Sequence, residues 1–142
     1  MPIELHMAIV KTYHAQKNCT RPGMRKIGLS PGQPKVLTFV SQHNHCMQRE
    51  IADALDIEPA TVSQILNNME SSGLICRSKQ PGKKRAESIS ITEKGLDYYE
   101  KWLHLCGELD KEALKGFSQE ETDHFLDYLQ RMYLNMTGKL MC

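Results

Sequence analysis

The stretch MQREIADALDIEPATVSQILNNMESSGL, residues 47–74, holds the strongest fold signal in the sequence. A turn at residues 56–58 separates two helical patterns, and Pro59 stands where proline is favoured, at the first position of the second helix. The first pattern is a short amphipathic helix whose apolar face consists of Ile51, Ala52 and Leu55. Two short helices joined by a tight turn form a helix-turn-helix candidate.

The second predicted helix has one apolar face and one unusual polar face. Its apolar arc consists of Val62, Ile65, Leu66 and Met69. Its opposite side consists of Ala60, Gln64, Asn67 and Ser71, flanked by Thr61, Ser63 and Asn68. A solvated helix surface ordinarily favours Lys and Glu, whereas amide and hydroxyl side chains hydrogen-bond base edges in the major groove of DNA. The face therefore predicts contact with bases; the alternative is a polar surface that merely lacks charge.

The residues after this helix predict a β-hairpin with a basic tip. Gly73 ends the helix, and LICRS (74–78) and ESISI (87–91) are strand-like. Residues 77–85 hold five of the 18 basic side chains and no acid, which leaves 13 basic against 17 acidic groups elsewhere. A hairpin directly after a helix-turn-helix is a wing, and a basic wing meets the phosphate backbone. The alternative is a solvated tip that is basic for solubility or to discourage edge pairing.

Further helices are predicted before this region. Residues 3–17 form an amphipathic helix with an apolar face broad enough to be buried, and residues 19–28 (CTRPGMRKIG) form a loop. Ser30 and Gln33 resemble a capping box that opens the next helix. Pro34 lies one place too deep for that start, so we expect the helix to begin late.

Two long helices are predicted after the hairpin. Thr92 is the expected N-cap of a helix of roughly 20 residues, and Ser118 with Glu121 forms a second capping box. A winged helix closes its core without these helices, so their apolar stripes need another surface. A second copy of the chain would supply it. The alternative is a helical subdomain that packs within one chain.

Composition excludes several classes of protein. With 142 residues, 40% of them hydrophobic and 25% charged, the chain is globular rather than disordered. It lacks an export signal and any apolar run long enough to cross a membrane, which predicts a cytoplasmic location without membrane contact. Five cysteines without a Cys-x-x-Cys pair predict reduced thiols. No phosphate loop or nucleophile motif is present, so the sequence predicts that the protein is not an enzyme and needs no cofactor.

One cluster could bind a metal. His43, His45 and Cys46 offer ligands within four residues, and His104 with Cys106 offers two more. A zinc or copper site needs three or four ligands that converge. Solvated loop histidines are the commoner explanation.

The motifs resemble those of the multiple-antibiotic-resistance regulator (MarR) family of winged-helix transcription factors, over residues 29–95 and, with the outer helices, nearly the whole chain. The most specific motifs are Thr61-Val62-Ser63, Met69-Glu70-x-x-Gly73-Leu74-Ile75 with Arg77, and Ile91-Thr92-Glu93-Lys94-Gly95. The resemblance implies a homodimer on a palindromic operator, with one recognition helix in each of two major grooves. It also implies an aromatic or phenolic effector held between the dimer helices and the winged lobe.

The resemblance also assigns individual residues. Arg85 matches the wing arginine that the family inserts into the minor groove, but Lys83 replaces the acid usually found two residues before it. Zinc-responsive members carry a histidine where this sequence has Lys35. Cys19 lies in roughly the region of the reactive cysteine of peroxide-sensing members, so it is a candidate redox site.

The predicted fold is mainly α with a small β wing, a winged helix-turn-helix flanked by N- and C-terminal dimerisation helices. Within a single domain of 142 residues, residues 29–95 form the DNA-binding lobe, and residues 1–20 and 96–142 the dimerisation helices.

The predicted function is a DNA-binding repressor of transcription that a small effector releases. The alternatives are a redox- or metal-responsive regulator of the same fold and a winged-helix module that docks an acidic protein. The predicted base-reading residues are Thr61, Ser63, Gln64, Asn67 and Asn68, and the predicted phosphate contacts are Arg77, Lys79, Lys83 and Lys84.

Overall fold

The computed structural model describes residues 1–79 and 87–141 and confirms the predicted fold class. The elements in these ranges are α1 (Leu5–Ile27), α2 (Gln33–Gln42), α3 (Gln48–Leu55), α4 (Pro59–Ser71), β1 (Ile75–Lys79), β2 (Glu87–Ile91), α5 (Glu93–Ala113) and α6 (Gln119–Thr137). Among the residues described, no helix combines the length and the apolar character needed to span a bilayer.

The helix-turn-helix forms as predicted. Asp56 takes the left-handed conformation at the end of α3, and Pro59 is the first residue of α4. The apolar face of α4 lies in the core, where Val62, Leu66 and Met69 have no exposed surface. The rest of that core comes from the neighbouring elements and includes Val36, Leu37, Val40, Ile51, Leu74, Ile75 and Ile89.

The two strands form an antiparallel hairpin, which is the wing: β1, β2 and the residues that join them in sequence. Ile75 lies opposite Ile91, Arg77 opposite Ile89, and Lys79 opposite Glu87. The segment before α3 also reaches the sheet, because the carbonyl of Cys46 accepts a hydrogen bond of 2.7 Å from the N–H of Ile89. The wing is thereby joined to the helix-turn-helix through β2 as well as through the chain itself.

The prediction of a loop at residues 19–28 was wrong. α1 continues through Pro22 to Ile27 and ends at Gly28, whose φ of 103° is left-handed. Proline inside a helix costs a hydrogen bond. The continuation is stabilised by burial, because Met24 belongs to the core and Ile27 packs against it. The proline and glycines of this stretch predicted a loop, because they give no sign of that tertiary contact.

The second helix begins late, as Pro34 predicted. α2 starts at Gln33, with Gly32 as its left-handed N-cap and Pro34 in its first turn. The Gln33 side chain still accepts a hydrogen bond of 2.9 Å from the N–H of Ser30. One of the two hydrogen bonds of the expected capping box is therefore present, but the N-cap is Gly32, two residues after the predicted Ser30.

The described chain forms two compact units, Met1–Cys106 and Gly107–Cys142. In the first, the predicted apolar face at the start of α1 is exposed rather than buried: Leu5 is 68% and Tyr13 is 55% exposed. In the second, α6 begins with the predicted capping box of Ser118 and Glu121. Its apolar residues are exposed as well, among them Phe125, Leu126, Tyr128, Leu134 and Met136.

Candidate nucleic-acid interface

The outward face of α4 is the first component of the candidate interface. Four of the five predicted base-reading side chains are exposed on it, and Ser63 is half-buried at its margin. On the opposite face of the same helix, Val62, Leu66 and Met69 are fully buried, so the direction in which the polar side chains point is determined by the core. The four exposed side chains are those of Thr61, Gln64, Asn67 and Asn68.

The charge on α4 is low. Glu70 is its one ionisable side chain, and its first turn contains no acid. The N-terminal end of a helix carries a partial positive charge, which an acid there would oppose. An acid does stand at the N-cap, where Glu58 is exposed, so the low charge of α4 concerns its outward face, on which the exposed side chains of Thr61, Gln64, Asn67 and Asn68 are uncharged hydrogen-bond donors and acceptors.

The Arg77 side chain extends from β1 of the wing toward α4 rather than into open solvent. Its Nη2 donates a hydrogen bond of 2.9 Å to Oδ1 of Asn67. Glu70 and Glu87 flank the guanidinium, each with a carboxylate oxygen 4.0 Å from one of its nitrogens, and the side chain is only 16% exposed. The predicted phosphate contact of Arg77 stays a prediction, but its guanidinium is engaged within the protein.

Among the remaining predicted phosphate contacts, only Lys79 is described. Lys79 is exposed at the end of β1, opposite Glu87. Lys83, Lys84 and the predicted minor-groove residue Arg85 lie outside the described residues.

The end of α4 is tied to the start of α5 by side chains that the sequence did not single out for this purpose. Thr92 caps α5 by accepting a hydrogen bond of 3.0 Å from the N–H of Gly95, and its hydroxyl donates to the carbonyl of Gly73. Nζ of Lys94 donates a hydrogen bond of 2.7 Å to the carbonyl of Ser72. These bonds satisfy carbonyl groups left without partners at the end of α4.

The three candidate metal ligands are engaged separately. His43 stacks on Phe39, and Nδ1 of His45 lies 2.8 Å from the hydroxyl of Ser90. Cys46 is buried, and this burial, with a smaller contribution from the charge of Glu50, raises the pKa of its thiol to about 11. In the described ranges, no three His, Cys, Asp or Glu side chains are arranged to hold a metal.

The candidate redox residue lies at the surface. Cys19 is exposed on α1 and is not in a disulfide. The described part of the chain therefore leaves it accessible to an oxidant, as Cys76 on β1 is too.

The acids around Arg77 are the site feature that sequence reasoning missed. Side chains alternate between the two faces of a strand, so Arg77 lies on the same face of β1 as the buried Ile75. This alternation could have predicted that the Arg77 side chain points toward the protein rather than into solvent. No local pattern indicates Asn67 as its partner, because that contact joins a strand to a helix.

The comparisons with known proteins agree with this geometry. Residues 27–86 match the family model described as MarR family. An uncharacterised HTH-type transcriptional regulator of Bacillus subtilis, YdgJ, is 27% identical over 78% of this chain and 68% of its own length. The HTH-type transcriptional repressor MdtR of the same organism is 29% identical over 56% of this chain and 52% of its own length.

Solved structures show the same fold. A putative MarR family transcriptional regulator from Listeria monocytogenes, complexed with a 26mer DNA, superposes with a TM-score of 0.87, 24% identity and coverage of 95% of this chain and 90% of that one. The transcriptional regulator SlyA gives 0.87, 25% identity and 94% coverage of both chains. Staphylococcus aureus MarR in complex with salicylate and kanamycin gives 0.84, 20% identity, and coverage of 94% of this chain and 91% of that one.

Proposed function

We propose that this chain, whose residues 27–86 match the MarR family model, is a DNA-binding repressor of transcription that binds a palindromic operator as a homodimer and is released by a small effector. The observation that carries the proposal is the exposed, uncharged amide-and-hydroxyl face of α4, whose direction is set by the burial of Val62, Leu66 and Met69 on the opposite face. A helix with such a face, followed by a wing, is suited to lie in a major groove.

We assign the contacts as follows. Thr61, Ser63, Gln64, Asn67 and Asn68 hydrogen-bond base edges, because their side chains match the donors and acceptors of the major groove. Arg85 enters the minor groove, and Lys79, Lys83 and Lys84 neutralise phosphates. Both the base-reading and the wing assignments are supported by the family resemblance of residues 27–86.

Dimerisation would explain the exposed apolar residues. Leu5, Val10 and Tyr13 of α1 and Phe125 and Leu126 of α6 are all more than 40% exposed in the single chain. A soluble protein rarely leaves such apolar surface in water. A second copy that covers it would also place two recognition helices on one operator, since twofold symmetry in the protein matches palindromic symmetry in DNA.

The effector is proposed from relatives. One structural neighbour was solved with salicylate and another in a 2,4-dichlorophenol-bound form, so we propose an aromatic or phenolic ligand here. Repression is proposed because two relatives, MdtR and IacR, are described as repressors. We place the protein in the cytoplasm, where its DNA would be. Its relatives are transcriptional regulators rather than enzymes.

The test is binding to the promoter of the protein's own gene. We expect a palindromic duplex from that promoter to bind at least about a thousandfold more tightly than a shuffled duplex of the same composition. Gln64→Ala should reduce the difference, whereas Gln16→Ala, which removes an exposed glutamine from α1, should leave it intact. Equal affinity for both duplexes would contradict the proposal and favour a protein-docking module.

The nature of the release signal can be tested separately. Addition of salicylate or 2,4-dichlorophenol should weaken operator binding of the wild-type protein. If peroxide weakens binding instead, and mass spectrometry shows oxidised Cys19, the redox alternative is correct.

A further inference from the structure

Arg77 and Asn67 form a direct link between the wing and the recognition helix α4, through the 2.9 Å hydrogen bond from Nη2 to Oδ1. We propose that Arg77 is a positioning residue that fixes the amide of Asn67, so that α4 presents a hydrogen-bond donor and selects guanine over adenine at one operator position. The inference rests on the proposed function, because it requires α4 to lie in a major groove.

The guanidinium is held from three elements. Arg77 extends from β1, Glu87 approaches from β2, and Glu70 stands one turn beyond Asn67 on α4. Both carboxylates lie 4.0 Å from guanidinium nitrogens, and the Arg77 side chain is only 16% exposed. Its Nε is buried and has no hydrogen-bond partner among the described residues. A guanidinium enclosed in this way has little freedom to leave Asn67.

The chemistry of arginine determines which way the amide faces. The oxygen and nitrogen of an asparagine amide can be exchanged by a flip, and the choice is normally made from the hydrogen-bond partners. Arginine has five N–H donors and no acceptor. Only the amide oxygen can therefore face Arg77, which leaves the NH₂ group of Asn67 as the part directed elsewhere.

This orientation favours one base pattern. Bidentate recognition of adenine needs an asparagine that accepts from N6 and donates to N7, whereas guanine offers two acceptors, N7 and O6. In Asn67 the acceptor already receives a charged donor, and a nearby positive charge disfavours the approach of the adenine amino group. The donor that Asn67 still presents is its NH₂ group, which fits the acceptors of guanine.

This role differs from that of a phosphate contact in a measurable way. Loss of a phosphate contact weakens binding to every sequence and lowers the salt dependence. Loss of a positioning residue changes the preference at the single base pair that the positioned side chain reads. Lys79, the next basic residue on the same face of β1, is exposed and provides a matched comparison.

The experiment selects binding sites from a randomised duplex pool with the full-length wild-type protein and with Asn67→Ala, Arg77→Met, Arg77→Lys and Lys79→Met. We expect the wild type to prefer guanine at one position where Asn67→Ala has no preference. Arg77→Met should shift that position toward adenine by about tenfold and leave the others unchanged. Arg77→Lys, which retains a donor, should keep part of the guanine preference, and Lys79→Met should keep all of it.

Two results would overturn the inference alone. One is an unchanged preference in Arg77→Met at the position that depends on Asn67; the other is adenine at that position in the wild type. Failure of the wild-type protein to select any sequence would instead overturn the proposed function, and the inference with it.

A measurement without DNA covers the case in which Arg77→Met does not fold. The side-chain amide signals of Asn67 in an NMR spectrum can be identified by their loss in Asn67→Ala. They should move in Arg77→Lys and remain in place in Lys79→Met. Signals that stay in place in folded Arg77→Lys would show that the contact does not hold the amide, and would overturn the inference.

Discussion

Thr92 donates its hydroxyl hydrogen to the carbonyl of Gly73, so one side chain links the end of α4 to the start of α5. The same hydroxyl accepts a hydrogen bond from the N–H of Gly95, and the backbone N–H of Thr92 donates to the carbonyl of Leu74. The start of α5 is therefore hydrogen-bonded directly to the residues that follow α4.

Loss of the Thr92 hydroxyl should destabilise the protein. Thr92→Val retains the shape of the side chain but removes both hydroxyl hydrogen bonds, and we expect the free energy of unfolding to fall by about 1 to 2 kcal/mol. Thr92→Ser keeps the hydroxyl and should lose less than half of that. Urea denaturation followed by circular dichroism measures both; equal losses would show that the hydroxyl contributes nothing.

Gly95 should not tolerate a methyl group. A Cβ at this position would collide with the carbonyl oxygen of Leu74 and lie 2.9 Å from the side chain of Ile91. We expect Gly95→Ala to lower the free energy of unfolding by about 1 to 3 kcal/mol, although alanine is the better helix former. In the same helix, a Cβ at Gly107 would meet none of the described residues within 4 Å apart from the nearby helix backbone, so Gly107→Ala should raise stability by up to about 1 kcal/mol. Denaturation curves with the same sign for both variants would contradict the prediction.

The Cys46 thiol should make stability fall at alkaline pH. Burial raises its pKa from 9.0 to about 11, so between these values the unfolded chain releases a proton that the folded protein retains. Ionisation thus stabilises the unfolded state as pH rises from 9 to 11, by up to about 2 to 3 kcal/mol. Unfolding free energies measured across that range should decline more steeply for the wild type than for Cys46→Ala. If the unfolding free energies of the wild type and Cys46→Ala decline equally with pH, the result would contradict a buried Cys46 thiol.

The basic residues of the wing should account for part of the salt dependence of DNA binding. Each phosphate that a lysine neutralises contributes close to one unit to the slope of log affinity against log salt concentration. Lys84→Ala should therefore reduce the slope by roughly one unit, and Lys115→Ala, an exposed lysine far from the wing in sequence, should not. Fluorescence anisotropy at several salt concentrations gives both slopes. Equal slopes for wild type and Lys84→Ala would remove Lys84 from the phosphate contacts.

Arg85 should matter more than any single wing lysine. If its guanidinium enters the minor groove, Arg85→Ala should weaken operator binding by more than about tenfold, whereas Arg85→Lys should recover only part of the loss. The measurement is operator affinity at one fixed salt concentration. A loss in Arg85→Ala no larger than that in Lys84→Ala would reduce Arg85 to an ordinary phosphate contact.

Several features were predictable because the interactions that create them are local. The turn between α3 and α4, the cap at Thr92 and the capping box at Ser118 all depend on residues within a few positions of one another. The same holds for the outward direction of Gln64 and Asn67, which helical periodicity sets once Val62 and Leu66 are buried. The uncharged polar face of α4 was therefore recognisable without coordinates.

Local signals failed where burial outweighed them. Pro22 indicated a loop, yet α1 continues past it because Met24 lies in the core and Ile27 packs against it. The energy that decides this case comes from contact with residues far along the chain, and no window of sequence contains it.

The order of the elements and the polar face of α4 follow from the amino-acid pattern alone, because helical and strand periodicity and capping act over three or four residues. Only the tertiary structure brought Arg77 to Asn67, between Glu70 and Glu87. That arrangement joins a helix to both strands of the wing. Its distances depend on how the core places these elements against one another, which periodicity does not specify.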